Sequence, residues 1–408
     1  MVKKAALLAA ILMLQAGMLA GCTSNEQAAQ SAQSQTETQA QQTQNLSVQS
    51  TVEQTAAQQQ EIQPQGSVQF ADAGELSQEQ QDLSDLFASD AQNGLLAEQL
   101  VLEYGIQVRS SQRSDLHLTG YSSTLQVQSV QQEEDGNLRV MLREDVTQNF
   151  AQHPEVDSNV LDSFHMFELT QEDGSWKVVS HTGGQDRLYW TLSRSLRNGE
   201  GDVSDQMEQQ AQELIELLQV NVARREQTSD EPLPQAAKAY DRQAAVAYAK
   251  QWVTDRNDEW PDYSMSGGNC QNFVSQCLLA GGIPMDSSGD AVWKWYGDIP
   301  NNLPQMAGRS ASWSGVDEFL QYAASNTGSG MVAVADADYY SGEIGDVLIL
   351  GYDEEKLYHA VIITDVVTDE EGNVVDYLVH SNTANQESFP VSAYGYTYQV
   401  LVKICGWN

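Results

Sequence analysis

The short segment GGNCQNFVSQC, residues 267–277, contains two of the chain's four cysteines. Apolar residues three, four, seven and eight positions after Cys270 form one stripe of a predicted helix, and Cys277 belongs to that stripe. Cys277 is therefore predicted to be a core residue, because free cysteine is among the most buried residue types. Cys270 falls in the first helical turn, where free N–H groups and the helix dipole stabilise a thiolate. Cys270 is the candidate nucleophile.

A cysteine nucleophile needs a general base, and two histidines follow it along the chain. His359 and His380 lie on predicted strands that flank the turn DEEGN. If the connecting loop has an even number of residues, His359 shares a sheet face with His380 and Asn382, whereas an odd number puts Ser381 opposite instead. We expect His359 to activate the thiol and His380, or alternatively Asn382, to orient the imidazole. A pair of satisfied polar core residues is the other explanation of this spacing.

Residues close to the candidate nucleophile are the candidates for contacting a substrate. Asn269 precedes the thiol and is predicted to cap the helix, and Gln271 follows the thiol. Further along, Trp293, Trp295 and Tyr296 have a spacing that fits a cleft wall and fits half-buried packing equally well. No Cys-x-x-Cys or His-x-x-x-His spacing occurs, so neither a metal nor a cofactor is predicted.

The elements that must position these residues form a folded region at residues 237–408. Two helical segments surround the cysteine-bearing helix, and the strand-like segments GDVLILGY, YHAVIITDVV and VVDYLVHSN come after them. Helices followed by an antiparallel sheet are the layout of a papain-like hydrolase. The predicted fold class is therefore α+β.

A second folded region is predicted at residues 67–199. Helical periodicity over residues 83–104 is followed by alternating strand patterns, the last two joined by a hairpin turn at residues 172–175. A helix on an antiparallel sheet is typical of NTF2-like and cystatin-like folds, and this analogy suggests a spacer or a docking module for a protein partner. Its histidines look scattered and without recognisable partners: His117, His153, His165 and His181. Residues 200–236 are predicted to be a helix and a linker.

The N-terminal 22 residues have the pattern of an export signal. Lys3 and Lys4 precede an apolar run that is too short to span a bilayer comfortably, and small residues lead to Cys22. This pattern resembles the lipobox of bacterial lipoproteins, which implies cleavage before Cys22 and attachment of lipid, including palmitate, to it. An ordinary secretory signal is the alternative. Residues 23–66, rich in Gln, Ser and Thr, are predicted to be a disordered tether on the extracytoplasmic face of a bacterial cell membrane.

The composition excludes some partners. The formal net charge is −37, from 57 acidic and 20 basic residues, and a surface of this sign repels phosphate backbones. We therefore expect no nucleic-acid partner, whereas cationic or neutral substrates are compatible. Three cysteines beyond Cys22 do not make a disulfide scaffold, although one Cys277–Cys405 bridge is an option.

Several sequence blocks resemble the bacterial "putative amidase" domain, a relative of the NlpC/P60 and CHAP hydrolases. The blocks are NCQNFVSQCLLAGGIPM, SASWSGVDEFLQY, GDVLIL, YHAVIIT and YLVHSNTAN, within residues 237–408. The resemblance implies a papain-like, NlpC/P60-like fold and a Cys–His amide hydrolase with a polar third residue on the next strand. By position, Cys270 matches the nucleophile, His359 the base and His380 the third residue. The family usually has Asp where this chain has Asn269, which weakens any role that needs a charge beside the thiol.

These observations predict an exported, lipid-anchored cysteine amidase or peptidase whose first candidate substrate is the stem peptide of peptidoglycan. The alternative is a non-catalytic surface lipoprotein that uses the same fold to hold a peptide or wall fragment. An adhesin with a reactive thiol is a third reading.

Overall fold

The computed structural model describes residues 61–62, 83–113, 118–183, 187–198, 203–229, 231–264, 266–287, 292–295, 308–355 and 357–408. The predicted signal peptide with Cys22 lies outside these residues, as does Tyr296. Of the predicted tether only Glu61–Ile62 is described, and these two residues form a short strand, β1. No helix of the described part is long and apolar enough to cross a membrane.

The chain divides into two compact units. The N-terminal unit contains the described residues up to Glu103 together with His117–Ala151 and Asp162–Ala211. The C-terminal unit contains Tyr104–Leu116, Gln152–Leu161 and Gln212–Asn408. Helices and antiparallel strands occur in both, which confirms the α+β class.

The first eight elements within the described residues are β1, α1 (Gln92–Ser110), β2 (Leu118–Gln132), β3 (Leu138–Phe150), β4 (His153–Glu172), β5 (Ser175–Gly183), α2 (Arg187–Asn198) and α3 (Ser204–Arg225). The unit boundaries fall within α1, β4 and α3. Strands β1 to β5 neighbour one another in chain order. Buried and half-buried residues alternate along β3, as expected for a strand with one face on a core.

The predicted hairpin at residues 172–175 is confirmed. Strands β4 and β5 are joined by Asp173 and Gly174, which have positive φ angles of 50° and 79°. Two residues with positive φ give the turn whose twist matches that of the flanking strands.

The C-terminal unit continues with α4 (Arg242–Trp252), α5 (Cys270–Ala280), α6 (Ala311–Ser314), α7 (Val316–Ser325), β6 (Met331–Ala337), β7 (Val347–Gly351), β8 (Leu357–Thr368), β9 (Val374–Asn382), β10 (Asn385–Pro390) and β11 (Tyr398–Trp407). Short 3-10 turns occur at Tyr339–Ser341 and Val391–Ala393. The strand order is β10-β9-β8-β7-β11-β6, and the recorded pairs are antiparallel.

Both faces of this sheet are buried at its centre. Ala360 and Ile362 of β8 belong to a core that also contains apolar residues of α4, α5 and α7. Val361 and Ile363, on the other face, belong to a second core with Tyr377 and Tyr394 among its residues. Neighbouring side chains of a strand point to opposite faces, so burial on both sides explains why this segment is almost continuously apolar.

The Gly-Asp pair at the start of β7 has a structural role. Asp346 is fully buried, and its Oδ1 accepts hydrogen bonds from Arg242 Nη1 at 2.7 Å and from the Ile404 backbone N–H at 2.9 Å. Burial raises the pKa of Asp346, and the Arg242 guanidinium opposes that shift. Gly345 has a φ of +82°, and an added Cβ would lie 3.1 Å from the ring of Tyr240. The motif thus ties α4 to β7 and β11.

Candidate active site

Cys270 is the first residue of α5 and is 7% exposed. Burial raises the pKa of its thiol, and the backbone N–H groups of Ala360 and Gln271 lower it. The sequence predicts a lowered pKa from the helix terminus alone. The structure reverses the direction of the shift because the terminus is packed inside the unit, so the resting thiol is protonated at neutral pH.

Asn269 stands at the predicted helix N-cap position, but its side chain makes no capping hydrogen bond. Its Oδ1 instead accepts from the Tyr263 backbone N–H at 3.0 Å and from Asn272 Nδ2 at 2.9 Å. Its Nδ2 donates to Asn382 Oδ1 at 2.5 Å, which ties the start of α5 to the end of β9. An ionised carboxylate at this position has no N–H to donate, so it cannot replace this contact with Asn382.

Cys277 is fully buried in the core that contains the helices, which confirms its prediction as a core residue. Burial raises the pKa of its thiol well above the usual value. Cys405 is half-buried, and Cys270, Cys277 and Cys405 are all free thiols. The Cys277–Cys405 bridge considered as an option from the sequence is therefore not formed.

His359 lies on β8 and is 3% exposed. Its Nε2 is 3.0 Å from Ser381 Oγ on β9. The loop between the strands comprises residues 369–373, an odd number, and Ile362 pairs with His380. Because strand residues alternate in direction, this register places His359 and Ser381 on one face and His380 on the other. Of the two arrangements expected from the sequence, the structure has the one with Ser381 opposite.

The ring of His359 is surrounded by polar and aromatic groups. Burial lowers the pKa of His359 to about 4, and a hydrogen bond that the ring donates to Gln386 acts in the opposite direction. Gln386 pairs with Ser381 across β9 and β10, and its Oε1 accepts a hydrogen bond from Tyr394 Oη at 2.5 Å. The Tyr394 and Tyr396 rings lie 5.8 Å and 6.1 Å from the imidazole, centroid to centroid. His359 is thus a neutral imidazole at neutral pH.

The thiol of Cys270 borders this cluster. One of the N–H groups that lower the pKa of this thiol belongs to Ala360, the residue after His359. The pKa of Tyr394 is raised mainly by burial, then by the charge of Tyr396, and to a smaller extent by the charge of Cys270. Among the residues that the structure describes, no hydrogen bond joins the thiol to the imidazole. Cys270 and His359 therefore both lie near Tyr394 at the beginning of β8, and both reactive groups are in their neutral forms.

Gln386 and Tyr394 are site residues that sequence reasoning missed. Gln386 lies on β10, whose first residue, Asn385, pairs with the last residue of β9, Asn382. A signal was present, because a two-residue loop between these asparagines puts Gln386 opposite Ser381. Tyr394 follows a 3-10 turn, and no local pattern indicates where its ring points.

His380, the predicted orienting residue, lies on the sheet face opposite to His359. It is 1% exposed, and its Nδ1 accepts from the Ser388 backbone N–H at 3.2 Å and lies 2.9 Å from Thr364 Oγ1. Burial, followed by the charge of Lys250, lowers the pKa of His380 to about 4. Within the described part of the chain its Nε2 is buried without a hydrogen-bond partner.

Asn382, the alternative orienting residue, is also occupied elsewhere. Its Nδ2 donates to the backbone carbonyls of Trp252 and Val253, each at 3.0 Å, and its Oδ1 accepts from Asn269. These contacts join the C-terminal end of α4, the start of α5 and the end of β9. Asn382 therefore holds the elements that carry the site rather than the imidazole.

Of the predicted cleft residues, Gln271 and Trp293 are fully buried. Both donate to Ser275 Oγ, Gln271 from Nε2 at 3.1 Å and Trp293 from Nε1 at 3.0 Å. The Trp293 ring also packs 4.9 Å from that of Trp313, centroid to centroid. Trp293 is thus a core residue, and the packing alternative holds for it.

Trp295 is half-buried against the same core, and its ring meets that of Trp260 edge-on at 6.0 Å, centroid to centroid. Tyr296, the remaining aromatic candidate, lies outside the described residues. No group of three or more His, Cys, Asp or Glu side chains within the described ranges is arranged to hold a metal ion.

Comparisons with known proteins find similarity over the segment that contains these residues. Residues 239–405 match the model of the family described as "Putative amidase domain". The uncharacterized protein YhbB of Bacillus subtilis (strain 168) is 31% identical over 135 residues, which are 33% of this chain and 39% of that relative. The match thus spans well under half of the relative's length. No solved structure matches the chain significantly.

The matched segment contains Cys270, His359, Ser381, Gln386 and Tyr394. Residues 239–405 are therefore similar to an amidase domain, and the activity that this family suggests is amide hydrolysis.

Proposed function

We propose that the C-terminal unit is a cysteine-dependent amide hydrolase, with Cys270 as nucleophile and His359 as general base. The observation that supports the proposal is that the Cys270 thiol and the His359 imidazole each lie near Tyr394, inside the segment that matches the amidase model. A thiol in the first turn of a helix beside an imidazole on a strand is the arrangement that nucleophilic catalysis needs.

The resting charges define the first step. Burial keeps the thiol protonated and holds the pKa of His359 at about 4, so both groups begin neutral. As the sulfur of Cys270 attacks the amide carbonyl carbon, His359 takes the thiol proton. The imidazolium then gives this proton to the leaving amine nitrogen, which leaves a thioester on Cys270. Water, deprotonated by His359, hydrolyses the thioester, and the acid product and free thiol form.

The start of α5 supplies a site for the negative oxygen of the tetrahedral intermediate. Phe273 N–H is bonded to the Asn269 carbonyl, so the N–H groups of Cys270 and Gln271 precede the first bonded amide of the helix. Such first-turn amides stabilise a developing oxyanion without reorganisation.

Ser381 and Gln386 are the residues that orient the base in this proposal. Ser381 Oγ lies 3.0 Å from Nε2 of His359, and Gln386, as the acceptor of a hydrogen bond from the ring, favours the protonated imidazole. Tyr394, by donating to Gln386 Oε1, fixes that amide. These three side chains take the place that the resemblance assigns to His380.

For the substrate, we propose an amide bond in the stem peptides of peptidoglycan. A chain tethered by lipid at Cys22 on the outer side of the membrane faces the wall, and its net charge of −37 is compatible with the free amino groups of such peptides. The resemblance to wall-hydrolase families points to the same polymer.

The test is digestion of purified peptidoglycan with the full-length protein, with the new termini identified by mass spectrometry. We expect new carboxyl and amino ends in the stem peptides from the wild type. Cys405→Ser, which removes a half-buried thiol outside the proposed site, is the matched control and is expected to give the same products. Cys270→Ala is expected to release none. Undiminished release by Cys270→Ala contradicts the proposed nucleophile, and release of sugar ends alone contradicts the amide assignment.

A second candidate is a non-catalytic module that binds a peptide or wall fragment. It is favoured by one observation, the nearly complete burial of a Cys270 thiol whose pKa is raised. Binding of peptidoglycan fragments that survives Cys270→Ser, together with no hydrolysis by the wild type, supports this candidate and rules out the first.

A further inference from the structure

The N-terminal unit contains a buried chain of four titratable side chains that the proposed hydrolysis does not use. Glu98 of α1, His181 of β5, His165 of β4 and Glu144 of β3 are each 4–6% exposed. They are far apart in sequence and come from four different elements. Two of them, His165 and His181, look scattered and unpartnered in the sequence, and the structure corrects that reading.

Three contacts link the four groups in a line. His181 Nδ1 is 2.8 Å from Glu98 Oε1, His181 Nε2 is 3.0 Å from His165 Nδ1, and His165 Nε2 is 3.0 Å from Glu144 Oε2. The two imidazole rings lie 5.3 Å apart, centroid to centroid, and are nearly parallel. Every ring nitrogen of the two histidines is thus within hydrogen-bond distance of another of these four side chains.

The absence of a side chain at Gly183 leaves room for the His165–His181 contact. An added Cβ on Gly183 would lie 2.7 Å from His181 Nε2 and closer still to His165 Nδ1. Any residue other than glycine therefore collides with the two bonded nitrogens. The His165–His181 contact is part of how the end of β5 packs.

The number of protons in the chain follows from the chemistry of the atoms. Each contact joins two atoms that both have lone pairs, so each needs one proton between them. Three contacts need three protons, and two neutral imidazoles supply only two. The chain therefore contains one proton more than two neutral histidines and two ionised glutamates.

Charged and titratable neighbours fit this count. Glu144 Oε1 accepts from Ser123 Oγ at 2.5 Å and from Tyr121 Oη at 3.2 Å, both on β2. Burial and the charge of Glu144 raise the pKa of Tyr121, which keeps that hydroxyl a donor. Glu144 Oε1 is thus an acceptor, and the additional proton belongs to the four linked side chains together.

We infer that the chain Glu98–His181–His165–Glu144 is a proton-binding site that holds one proton at neutral pH and makes the packing of α1 on this sheet depend on pH. Loss of the proton leaves two lone pairs facing each other in one buried contact, which opposes the folded state. The folded unit therefore binds more protons than the unfolded chain above the usual histidine pKa, and its stability falls as pH rises.

Glutamine substitutions at the two ends provide a sharp test. In Glu98→Gln the side-chain amide donates to His181 Nδ1, so the third hydrogen is covalent and no additional proton is needed. Glu144→Gln supplies the same hydrogen to His165 Nε2 from the opposite end. Glu103→Gln is the matched control, because it makes the same change on an exposed residue of α1.

The experiment uses the full chain, equilibrated in urea between pH 6.5 and 9 and then given a short deuterium pulse at one fixed pH. Deuterium in the β5 peptide reports the unfolded fraction of this unit. We expect the folded-to-unfolded ratio of the wild type and of Glu103→Gln to fall by up to tenfold per pH unit, the limit for one linked proton. Glu98→Gln and Glu144→Gln are expected to lose that fall.

Parallel pH profiles for the wild type and the two glutamine variants overturn the inference, as does a flat wild-type profile. Failure of both variants to fold, with Glu103→Gln folded, also counts against it, because each glutamine provides the hydrogen that the count requires.

Discussion

The two units each bury a pair of histidines on neighbouring strands, but the pairs are in opposite electrostatic situations. His165 and His181 touch each other and end on two carboxylates. His359 and His380 lie on opposite sheet faces, and their hydrogen-bond partners are neutral serine, threonine, glutamine and backbone groups. Burial lowers the pKa of both to about 4.

This difference shows that the effect of burial on the protonation of an imidazole depends on neighbouring carboxylates. Without a carboxylate, the low-dielectric interior removes the proton and leaves a neutral base. With a carboxylate at each end, the three hydrogen bonds need one proton more than two neutral imidazoles supply. The first situation suits a group that must accept a proton during a reaction, and the second suits the pH-dependent proton site that we infer.

The largest expected effect separates the two histidines of the C-terminal unit. His359→Gln removes the base and is expected to lower kcat for stem-peptide hydrolysis by roughly 10²–10⁴-fold. His380→Gln, on the other sheet face, is expected to retain kcat within about tenfold while lowering stability. Initial rates on a defined muropeptide, with urea unfolding as the stability measurement, check both. Equal losses of kcat contradict the assignment of separate roles.

In the N-terminal unit the corresponding substitution acts on stability. His165→Leu leaves Glu144 and the His181–Glu98 pair without their shared partner. Breaking a buried charged network in this way lowers the free energy of unfolding by roughly 3–5 kcal/mol. Urea unfolding measures it, and hydrolysis by any folded fraction provides the control. A loss below about 1 kcal/mol contradicts a buried, proton-holding chain.

Acid is expected to act on the C-terminal unit through its two neutral histidines. Their folded pKa of about 4 lies below the unfolded value, so the folded state binds fewer protons. The stability that they contribute is present above about pH 6.5 and is lost as pH falls toward 4. Melting temperatures from pH 7.5 to 4 measure the effect. His380→Gln is expected to make the decline shallower, and an unchanged slope disagrees with a neutral buried His380.

The smallest expected effect concerns the hydrogen bond from His359 to Gln386, which opposes the lowering of the His359 pKa by burial. Gln386→Leu is expected to move the acidic limb of the kcat/KM profile to lower pH, and Gln386→Glu to move it to higher pH, each by about one unit. A role in packing alone predicts no such opposite shifts. Identical acidic limbs in both variants contradict an effect of Gln386 on the pKa of His359.

Local patterns predicted the single elements well. The helix with Cys270 at its start and Cys277 in its core, the hairpin at residues 172–175 and the α+β class follow from periodicity and turn residues. These features depend on neighbours in the sequence, so the sequence contains them.

Contacts between distant elements were harder to predict. The facing of His359 depends on whether the β8–β9 loop has an odd or even length, which a pattern of residue types does not settle. The Glu98–His181–His165–Glu144 chain needs the relative placement of four elements, which no local signal contains. The pKa of Cys270 depends on how deeply the helix terminus is packed, a tertiary property.

The central claim is that Cys270 attacks an amide carbonyl with help from His359, and an acid-quench experiment tests it most directly. The full-length protein is mixed with a defined stem peptide, quenched in acid within a turnover, and the peptide spanning residues 267–277 is sequenced by tandem mass spectrometry. The account predicts an acyl group on Cys270 and none on Cys277, with no adduct in Cys270→Ala. Turnover without an adduct, or an adduct on Cys277, contradicts it.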